Sequence, residues 1–359
     1  MAENETISNP QFFEGVEKLL EIWFTPNPSN KNADLRKIPR SMWDALLKSV
    51  RCEIISFKRN DQIDAYVLSE SSMFVSRRRW ILKTCGSTTP LECIEPLLQM
   101  AETLAGYINV DYLFYSRKNF KRPDLQVTPH RSFEEEVALL DSFFDNGHAY
   151  CLGSLNRDCW YLYTYNREGG IAAQQQYDNN IGNVLSIEPD QTIEILMTDL
   201  DPDVMALFTK EECKNASEAT QRSGIEKLIP DMIIDDYQFE PCGYSMNGIS
   251  KHELTGNEEY KEGQYMTIHI TPETEFSYVS FESNIASSNY GDLISRVIKL
   301  FQPSKFLVTI FVSKTSKSID AGHELDYKTA IGEWKRRDIQ YCRFPGYDLT
   351  YAHYSKFPS

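Results

Sequence analysis

The chain has 359 residues, 41% of them hydrophobic and 12% aromatic, which is typical of a globular protein with a large core and excludes collagen-like, coiled-coil and disulfide-stapled classes. Its 52 acidic residues outnumber its 37 basic residues, and the net charge of -15 disfavours nucleic acid and membrane surfaces as partners. The most apolar run, FLVTIFV at 306–312, is too short to span a bilayer. Eight cysteines without a CxxC pair follow a polar, acidic start, so we expect free thiols and a cytosolic protein.

Groups of strands alternate with helices in the first half of the chain. Val16, Leu19, Leu20 and Trp23 recur at helical spacing, which predicts a helix over 16–24 (VEKLLEIWF). The segments that follow are, in chain order, a polar loop at 25–41, a short helix at 43–50, strands at 52–58, 62–69, 72–76 and 79–85, an amphipathic helix at 88–105, a helix at 133–144, and strands at 149–155 and 159–165.

The second half begins with a polar Gly/Asn/Gln-rich segment at 167–183, which predicts an exposed loop. The segments after it are a strand at 191–200, a helix at 202–208, strands at 265–271, 276–282 and 305–312, and a helix at 290–301. The regular βαβ repeat of a parallel sheet is missing, so we predict an α+β fold with helices outside antiparallel sheets. No linker or internal repeat divides the sequence, and we expect a single domain over 1–359.

Residues 69–72, SESS, interrupt two apolar runs at the point where a strand ladder would continue. A polar turn explains the interruption, because serine is a common turn former. Self-processing is the alternative that the residues alone favour less: a serine hydroxyl held against the preceding carbonyl attacks it and converts the amide into an ester.

Seven strings in chain order resemble the eukaryotic S-adenosylmethionine decarboxylase family. They are YVLSESSMFVS (66–76), KTCG (83–86), FYSRKNF (114–120), DCWYLYT (158–164), PDQTIEILM (189–197), GYSMNG (243–248) and TIHITPETEFSYVSFE (267–282). Each string alone is weak, but seven in the right order are specific. The resemblance covers Phe12 to about Val312, and the rest of the chain matches less clearly.

The resemblance implies a proenzyme that cleaves itself between Glu70 and Ser71. The products are a beta chain, 1–70, and an alpha chain, 71–359, whose first residue becomes a pyruvoyl group. The Ser71 hydroxyl attacks the Glu70 carbonyl, the resulting ester undergoes β-elimination, and hydrolysis releases ammonia. By similarity, Ser245 stabilises the tetrahedral stage and His269 removes the α-proton.

The same resemblance implies that the pyruvoyl ketone forms a Schiff base with S-adenosylmethionine and takes up the electrons freed as carbon dioxide leaves. No pyridoxal phosphate and no metal ion is expected, because the pyruvoyl group performs this chemistry. Cys85 matches the proton donor of the family. From the residue alone, Cys85 would be an inert core thiol.

Substrate recognition in this family implies four further positions. Phe13 and Phe239 sandwich the adenine and face the sulfonium cation, which aromatic faces attract. Glu273 accepts the ribose hydroxyls, and the backbone of Leu68 contacts the base. Composition alone would place both phenylalanines in the core.

Glu14 and Glu17 match acidic residues at the edge of the family's active site. The alternative is a solvated helix start, where the helix dipole favours acidic side chains.

Asp190, Thr192 and Glu194 alternate onto one face of a predicted strand. If that face is interior, two unpaired ionised carboxylates would cost several kcal/mol. A solvated face would remove this cost. The resemblance favours the first interpretation, because these positions match a putrescine site of the animal enzymes.

Glu282, Phe114 and Phe311 match the third acid and the aromatic lining of that site. Putrescine-independent plant members carry basic or other residues there, so we expect a putrescine-stimulated enzyme.

The family fold implies a four-layer α/β/β/α sandwich. Homodimers in animals and monomers in plants leave the oligomeric state open. The segments 167–188 and 251–263 look longer than in the animal family, and we expect them to extend surface loops. A catalytically dead paralogue that activates a partner subunit is the alternative function, and an acidic scaffold protein ranks last.

Overall fold

Hydrophobic residues on alternate positions build two antiparallel sheets in a computed structural model that describes residues 12–25, 29–167, 189–251 and 262–357. The first sheet contains β1 (Lys18–Phe24), β2 (Ile54–Arg59), β3 (Ile63–Leu68), β4 (Ser71–Ser76), β5 (Arg79–Thr84), β6 (Val110–Lys118), β7 (His148–Gly153) and β8 (Cys159–Asn166). Its strand order is β2-β3-β4-β5-β1-β6-β8-β7.

The second sheet has the strand order β10-β11-β12-β13-β9-β14-β17-β16-β15. Its strands are β9 (Gln191–Thr198), β10 (Met232–Gln238), β11 (Tyr244–Ser250), β12 (Tyr265–Thr271), β13 (Tyr278–Ser283), β14 (Lys305–Ser313), β15 (Ala330–Ile331), β16 (Trp334–Phe344) and β17 (Tyr347–Lys356). Neighbouring strands are antiparallel throughout the described residues of both sheets.

Helices cover the outer face of each sheet. They are α1 (Arg40–Ser49), α2 (Ile94–Met100), α3 (Phe133–Asp141), α4 (Pro202–Ala206), α5 (Ala216–Ser223), α6 (Gly291–Phe301) and α7 (Glu324–Tyr327). Short 3₁₀ turns occur at Leu35–Lys37, Pro90–Cys93, Pro123–Leu125, Ile225–Lys227 and Ala321–His323, and a π turn at Ala101–Ala105 extends α2. No helix among the residues described is long and apolar enough to cross a membrane.

Three sets of buried side chains separate four layers. Trp43 and Leu47 of α1 share a core with Leu20 of the first sheet. In the same way, Ile294 of α6 packs with Ile193 of the second sheet. Between the sheets, aromatic and aliphatic residues of both form two further clusters. Each fully buried Leu or Ile contributes about 1.5–3 kcal/mol to folding. The predicted four-layer α/β/β/α sandwich is confirmed.

The helix predicted over 16–24 is wrong, because Lys18–Phe24 forms β1 at the centre of the first sheet. Leu20 and Ile22 face the outer helices, and Trp23 faces the other sheet. Because both faces of β1 are buried, nearly every position holds an apolar residue or a polar residue with a bonding partner. Apolar residues therefore fall at helical spacing by coincidence, and their pattern cannot be distinguished from that of a buried strand.

Most other predicted elements in the described part of the chain are confirmed within a few residues. The helices at 43–50, 88–105, 133–144, 202–208 and 290–301 and the strands that surround them are present. The loop predicted at 167–183 and most of the segments 167–188 and 251–263 lie outside the described residues.

Candidate active site

A pocket of about 840 Å³ opens where the two sheets approach each other. Its lining comes from the N-terminal segment, the β3–β4 turn, the β10–β11 connection and the end of β12 with the loop that follows. The predicted residues that line it are Phe13, Glu70, Ser71, Cys85, Phe239, Ser245, His269 and Glu273. This volume suits a nucleoside-sized ligand, since small-molecule sites span roughly 300–1,000 Å³.

The β3–β4 turn holds Ser71 in a strained conformation. Leu68 pairs with Ser71 across the hairpin, which leaves Ser69 and Glu70 as a two-residue turn. Such turns favour Gly or Asn, whereas this one contains neither. Ser71 has a φ of 121°, a value that costs a non-glycine residue on the order of 1–3 kcal/mol. The segment is therefore the polar turn that the sequence suggests, with backbone strain at the serine.

The carbonyl of Glu70 is held by the strand beside it. The Cys85 amide donates to the Glu70 carbonyl oxygen at 3.1 Å. The Cys85 Sγ lies 3.6 Å from the same oxygen and 3.9 Å from Oε2 of Glu70. Burial, followed by the charges of Glu70 and Glu17, raises the pKa of Cys85 well above its usual value. The thiol thus keeps its proton at neutral pH and is suited to donate it.

His269 lies opposite the turn, on β12 of the second sheet. Its Nδ1 is 2.9 Å from Oγ of Ser245, its register partner on β11, and its Nε2 is 3.1 Å from Oγ of Ser72. The Ser72 and Thr267 hydroxyls both donate to Oδ1 of Asn247. They therefore accept from Nε2–H, which leaves the Nδ1 lone pair facing Ser245.

Burial lowers the pKa of His269 well below its usual value, and the charge of Lys83 adds to this effect. The imidazole is consequently neutral at pH 7. A neutral imidazole can act as a base.

Glu17 connects Ser71 to the second sheet. Its Oε1 accepts from the hydroxyls of Ser71 at 3.3 Å and Ser280 at 2.8 Å, and its Oε2 accepts from Tyr278 at 3.2 Å. Burial raises the pKa of Glu17 from its ordinary 4.5 to about 7.

Glu14 is also buried, and burial raises its pKa. Its Oε2 accepts from the backbone amides of Lys121 at 2.9 Å and Arg122 at 3.1 Å. Neither Glu14 nor Glu17 stands at a solvated helix start, so that alternative is wrong.

The remaining substrate positions have different surroundings. Phe13 and Phe239 are half-buried and line the pocket, so neither belongs wholly to the core. Oε2 of Glu273 is buried and has no hydrogen-bond partner among the described residues. Leu68 does not line the pocket: its side chain is buried in the outer core, although the next residue, Ser69, does line it.

Buried charges form a second cluster between the sheets, next to the pocket. Lys83 on β5 donates to Glu194 at 2.9 Å and to Glu282 at 2.7 Å, and its Nζ is 3.9 Å from Glu17. Burial lowers the pKa of Lys83, but the three carboxylates together raise it above its usual value. This lysine physically links the pocket to the second cluster.

Arg79 on the same strand organises the far end of this cluster. Its Nε is 2.8 Å from Glu21, and its Nη1 is 3.4 Å from Asp190. Asp190 and Glu194 are 2% and 6% exposed, so the alternative of a solvated face is wrong. Five buried carboxylates (Glu17, Glu21, Asp190, Glu194 and Glu282) thus face two cations.

Aromatic rings close the cluster on one side. Phe114 and Phe311 lie 4.8 Å apart in an edge contact, and Tyr347 stacks on Phe311 at 4.8 Å. Thr192 is the register partner of Phe311 on β9 and is half-buried. The predicted residues Asp190, Thr192, Glu194, Glu282, Phe114 and Phe311 therefore occupy one region between the sheets.

Several residues of both clusters were not predicted. They are Glu21, Arg79, Lys83, Tyr347, Ser72, Asn247, Thr267, Tyr278 and Ser280. Arg79 and Lys83 alternate with apolar residues in a strand buried on both sides, and buried charges require partners. That pattern could have identified them. Among the described residues, no group of three His, Cys, Asp or Glu side chains is placed to hold a metal ion.

Comparisons with known proteins agree with one another. The family model described as adenosylmethionine decarboxylase matches residues 10–355. An S-adenosylmethionine decarboxylase proenzyme of Drosophila melanogaster is 56% identical, over 96% of this chain and 95% of its own. The Xenopus laevis proenzyme is 47% identical, over 97% of both chains. In fold, the chain is similar to the crystal structure of a Trypanosoma brucei AdoMetDC-delta26 monomer, with a TM-score of 0.58 at 23% identity, covering 79% of this chain and 98% of that one.

Proposed function

The chain belongs to the adenosylmethionine decarboxylase family, and we propose that it activates itself by cleavage between Glu70 and Ser71. It is a carboxy-lyase that decarboxylates S-adenosylmethionine. The product is the aminopropyl donor for spermidine and spermine biosynthesis. One observation carries the cleavage proposal: Ser71 has a φ of 121° in a buried turn, and its hydroxyl bonds to Glu17.

The cleavage follows from groups that surround the turn. The Ser71 Oγ–C bond forms as the Glu70–Ser71 C–N bond breaks, and this step relieves the backbone strain. The Cys85 amide, which already donates to the Glu70 carbonyl, stabilises the negative oxygen that develops there. His269 then removes the α-proton of residue 71, the ester leaves as the Glu70 carboxylate, and hydrolysis releases ammonia.

A pyruvoyl group at position 71 fits these surroundings, because the residue lies at the pocket wall beside Cys85. Such a group supplies the electron sink that decarboxylation of an α-amino acid needs, in place of pyridoxal phosphate or a metal ion. Cys85, with its raised pKa, donates the proton that the α-carbon of the substrate needs after carbon dioxide has left. Ser245 and His269 serve the earlier processing step.

The pocket suits the substrate's charges and ring. Phe13 and Phe239 offer aromatic faces to the adenine and to the sulfonium, an attraction worth roughly 0.5–2 kcal/mol each. Glu273 lines the pocket and offers its carboxylate to the ribose hydroxyls. We assign no side-chain role to Leu68; only its backbone is available to contact the base.

Putrescine is the proposed activator, bound in the charge cluster between the sheets. Five carboxylates against two cations leave a formal excess of three negative charges when all are ionised. A diamine with two positive charges would offset most of this excess, and the aromatic wall suits its methylene chain. Lys83, which bonds to Glu194 and Glu282 and lies near Glu17, connects this site to the catalytic pocket.

The two proposed chains would stay together after cleavage. Strands β1 and β3 belong to 1–70; β1 pairs with β5 and β6, and β3 pairs with β4, all of them strands of 71–359. The product is thus one folded domain. All eight cysteines are free thiols, which supports the proposed cytosolic location. Greater identity to animal than to plant relatives favours the homodimer of the animal enzymes.

Intact-mass measurement under denaturing conditions tests the proposed cleavage. The purified wild-type protein is expected to give two fragments that break after residue 70, with the larger one lighter by one ammonia than a Ser71-initiated peptide. Ser71→Ala should remain a single chain. Ser69→Ala is the matched control from the same turn and should cleave.

A wild-type protein that remains one uncleaved chain would overturn the proposal. It would favour the catalytically dead paralogue that activates a partner subunit. The presence of Glu70, Ser71, Cys85, Ser245 and His269 argues against that alternative, because a dead paralogue would be expected to have lost some of them.

A further inference from the structure

Lys18 is a buried cation beside the active site that none of the roles above uses. Its side chain is 0% exposed. Its Nζ donates to the carbonyl oxygen of Gly86 at 2.9 Å and to Oε1 of Gln126 at 3.3 Å, and lies 5.4 Å from the centre of the Phe120 ring. Among the described residues, no carboxylate lies within 4 Å of this ammonium group.

An uncompensated buried ammonium group is unfavourable, because burial removes its hydration. The other buried cations in this sheet are paired: Lys83 with Glu194 and Glu282, and Arg117 with Glu136. Burial lowers the pKa of Lys18 to about 8. A destabilising charge that is retained next to a pocket suggests a function.

The group that Lys18 holds is the turn that follows the proposed proton donor. Gly86 has a φ of 62°, and its amide donates to the Glu14 carbonyl at 2.9 Å. A Cβ at Gly86 would come within 3.0 Å of the Phe13 ring and 3.2 Å of Oε2 of Glu70. The Cys85–Gly86 turn therefore contacts the adenine-binding ring, the cleavage site and the N-terminal segment, and Lys18 anchors it from behind.

We propose that Lys18 is a positioning residue for product protonation: it fixes the Cys85–Gly86 turn and stabilises the thiolate that Cys85 becomes. This inference rests on the proposed function. In the step concerned, the Cys85 S–H bond breaks, its electron pair remains on sulfur, and the proton forms a C–H bond at the substrate's α-carbon. Water from the pocket then returns a proton to sulfur. The unpaired ammonium of the resting enzyme is thus matched by a negative charge at the moment of proton transfer.

The other charges around Cys85 act in the opposite direction. Glu70 and Glu17 disfavour the thiolate, and Lys18 is the cation that favours it. Around Lys18 itself, Cys85, Glu136 and Cys52 favour the ammonium form, while Arg117 disfavours it. Glu70 and His130 also lie within electrostatic range of Lys18. Removing Lys18 should therefore leave Cys85 facing only acidic neighbours.

Alkylation of Cys85 by iodoacetamide measures this effect without the decarboxylation reaction. The rate is followed by the mass of the peptide that contains Cys85, with exposed Cys151 in the same sample as internal reference. At pH 7, Lys18→Met should slow alkylation of Cys85 about tenfold, since one unit of thiol pKa changes the reactive thiolate tenfold. Lys18→Arg should stay near wild type. The ratio of wild type to Lys18→Met should fall toward one by pH 9, where Lys18 has lost its proton.

In Lys18→Met, kcat should fall while the melting temperature does not. Lys18→Met should lower kcat about tenfold with KM within about twofold, while its melting temperature stays equal to or rises above that of wild type. A merely structural lysine would lower the melting temperature. Lys118→Met is the matched control, because it removes a buried ammonium that pairs with Asp158 instead of the turn. It should leave alkylation of Cys85 unchanged.

An unchanged alkylation profile in Lys18→Met would overturn the inference, as would a slowed profile shared by Lys118→Met. If Lys18→Met fails to fold, Gln126→Leu is the substitute, because it removes one of the two hydrogen-bond acceptors of the Lys18 ammonium group. This variant should also slow alkylation of Cys85. Failure of the proposed function is distinguishable, because an uncleaved wild type would appear in the mass spectrum whatever the alkylation rates.

Discussion

Glu273 is an acidic residue in the lining of the candidate active site. It lies in the loop after β12, with Oε2 buried and without a partner among the described residues. The thiol of Cys242 hydrogen-bonds to this carboxylate, and burial, the charge of Glu273 and that bond raise the pKa of the thiol to about 11. Because Glu273 also lines the pocket, a ligand that donates hydrogen bonds to its carboxylate should bind tightly.

Glu273→Gln should raise KM for S-adenosylmethionine about tenfold or more, with a smaller change in kcat. The reason is that a hydrogen bond to a charged acceptor contributes roughly 1.5–3 kcal/mol, and an amide oxygen is a weaker acceptor. Steady-state kinetics measures both constants. Glu211→Gln, at an exposed position outside the pocket lining, is the control and should behave as wild type.

Self-cleavage should be complete in Glu273→Gln, because Glu273 makes no contact with the Ser71 hydroxyl. A variant with normal KM would show that the ribose binds elsewhere. A variant that fails to cleave would show that Glu273 supports the fold instead.

At the scale of elements, β9 and the residue before it place alternate side chains in two different environments. Ile193, Ile195 and Met197 pack under the outer helices, while Asp190 and Glu194 face the first sheet. The sequence pattern predicted this alternation, and burial of the acidic face makes it a candidate for a cationic ligand.

Asp190→Asn should raise the putrescine concentration needed for half-maximal stimulation about tenfold or more. It lowers the formal excess of negative charge in the cluster from three to two, while the amide keeps an oxygen at the contact to Arg79. Decarboxylation is measured with and without putrescine. Asp199→Asn, one residue beyond β9 and outside the cluster, is the control that should leave stimulation intact. Unchanged stimulation in Asp190→Asn would contradict the proposed site.

Elements also explain which parts of the protein the sequence could predict. Strands with one apolar face and amphipathic helices such as α6 follow from local pattern, because their period is visible. β1 could not be recognised as a strand, since its pattern depends on partners far away in sequence. If β1 had been predicted as a strand, Glu17 and Glu21 would have been placed on the same face as Trp23. The predicted acidic cluster would then have included both.

Other omissions have the same physical origin. β16 alternates exposed charged residues with half-buried ones, so it lacks a clear apolar period. Lys18 sits in β1, and its role depends on a turn 68 residues away. The sequence motifs that carry the catalytic residues were found because they resemble those of a family. That these residues meet in one pocket follows only from the packing of the two sheets against each other.

For the whole molecule, closing the two sheets buries acidic groups that prefer to be neutral. Burial raises the pKa of Glu17 and of Glu21 from 4.5 to about 7, and it raises the pKa of Glu194. A carboxyl group with a raised pKa in the folded state contributes stability at low pH, and that stability is lost as the pH rises through the folded value. The buried histidines act with the opposite sign up to about pH 7.5, since burial lowers the pKa of His130 to about 4 while a histidine of the unfolded chain titrates near 6.5.

The wild type and Glu21→Gln share these histidines, so the difference between them from pH 6.5 to 7.5 isolates the carboxyl contribution. Without putrescine, the free energy of unfolding of the wild type should fall across this window by roughly 0.5–1 kcal/mol more than that of Glu21→Gln, as Glu21 ionises in the folded protein. Saturating putrescine should reduce this fall, because the diamine binds the ionised cluster better than the neutral one. The increase in melting temperature that putrescine produces should thus be larger at pH 7.5 than at pH 6.5. Scanning calorimetry of the wild type and of Glu21→Gln, with and without putrescine, measures both differences. A putrescine effect that is independent of pH would mean that the buried carboxyl groups do not change protonation when the diamine binds, and would place the binding site outside this cluster.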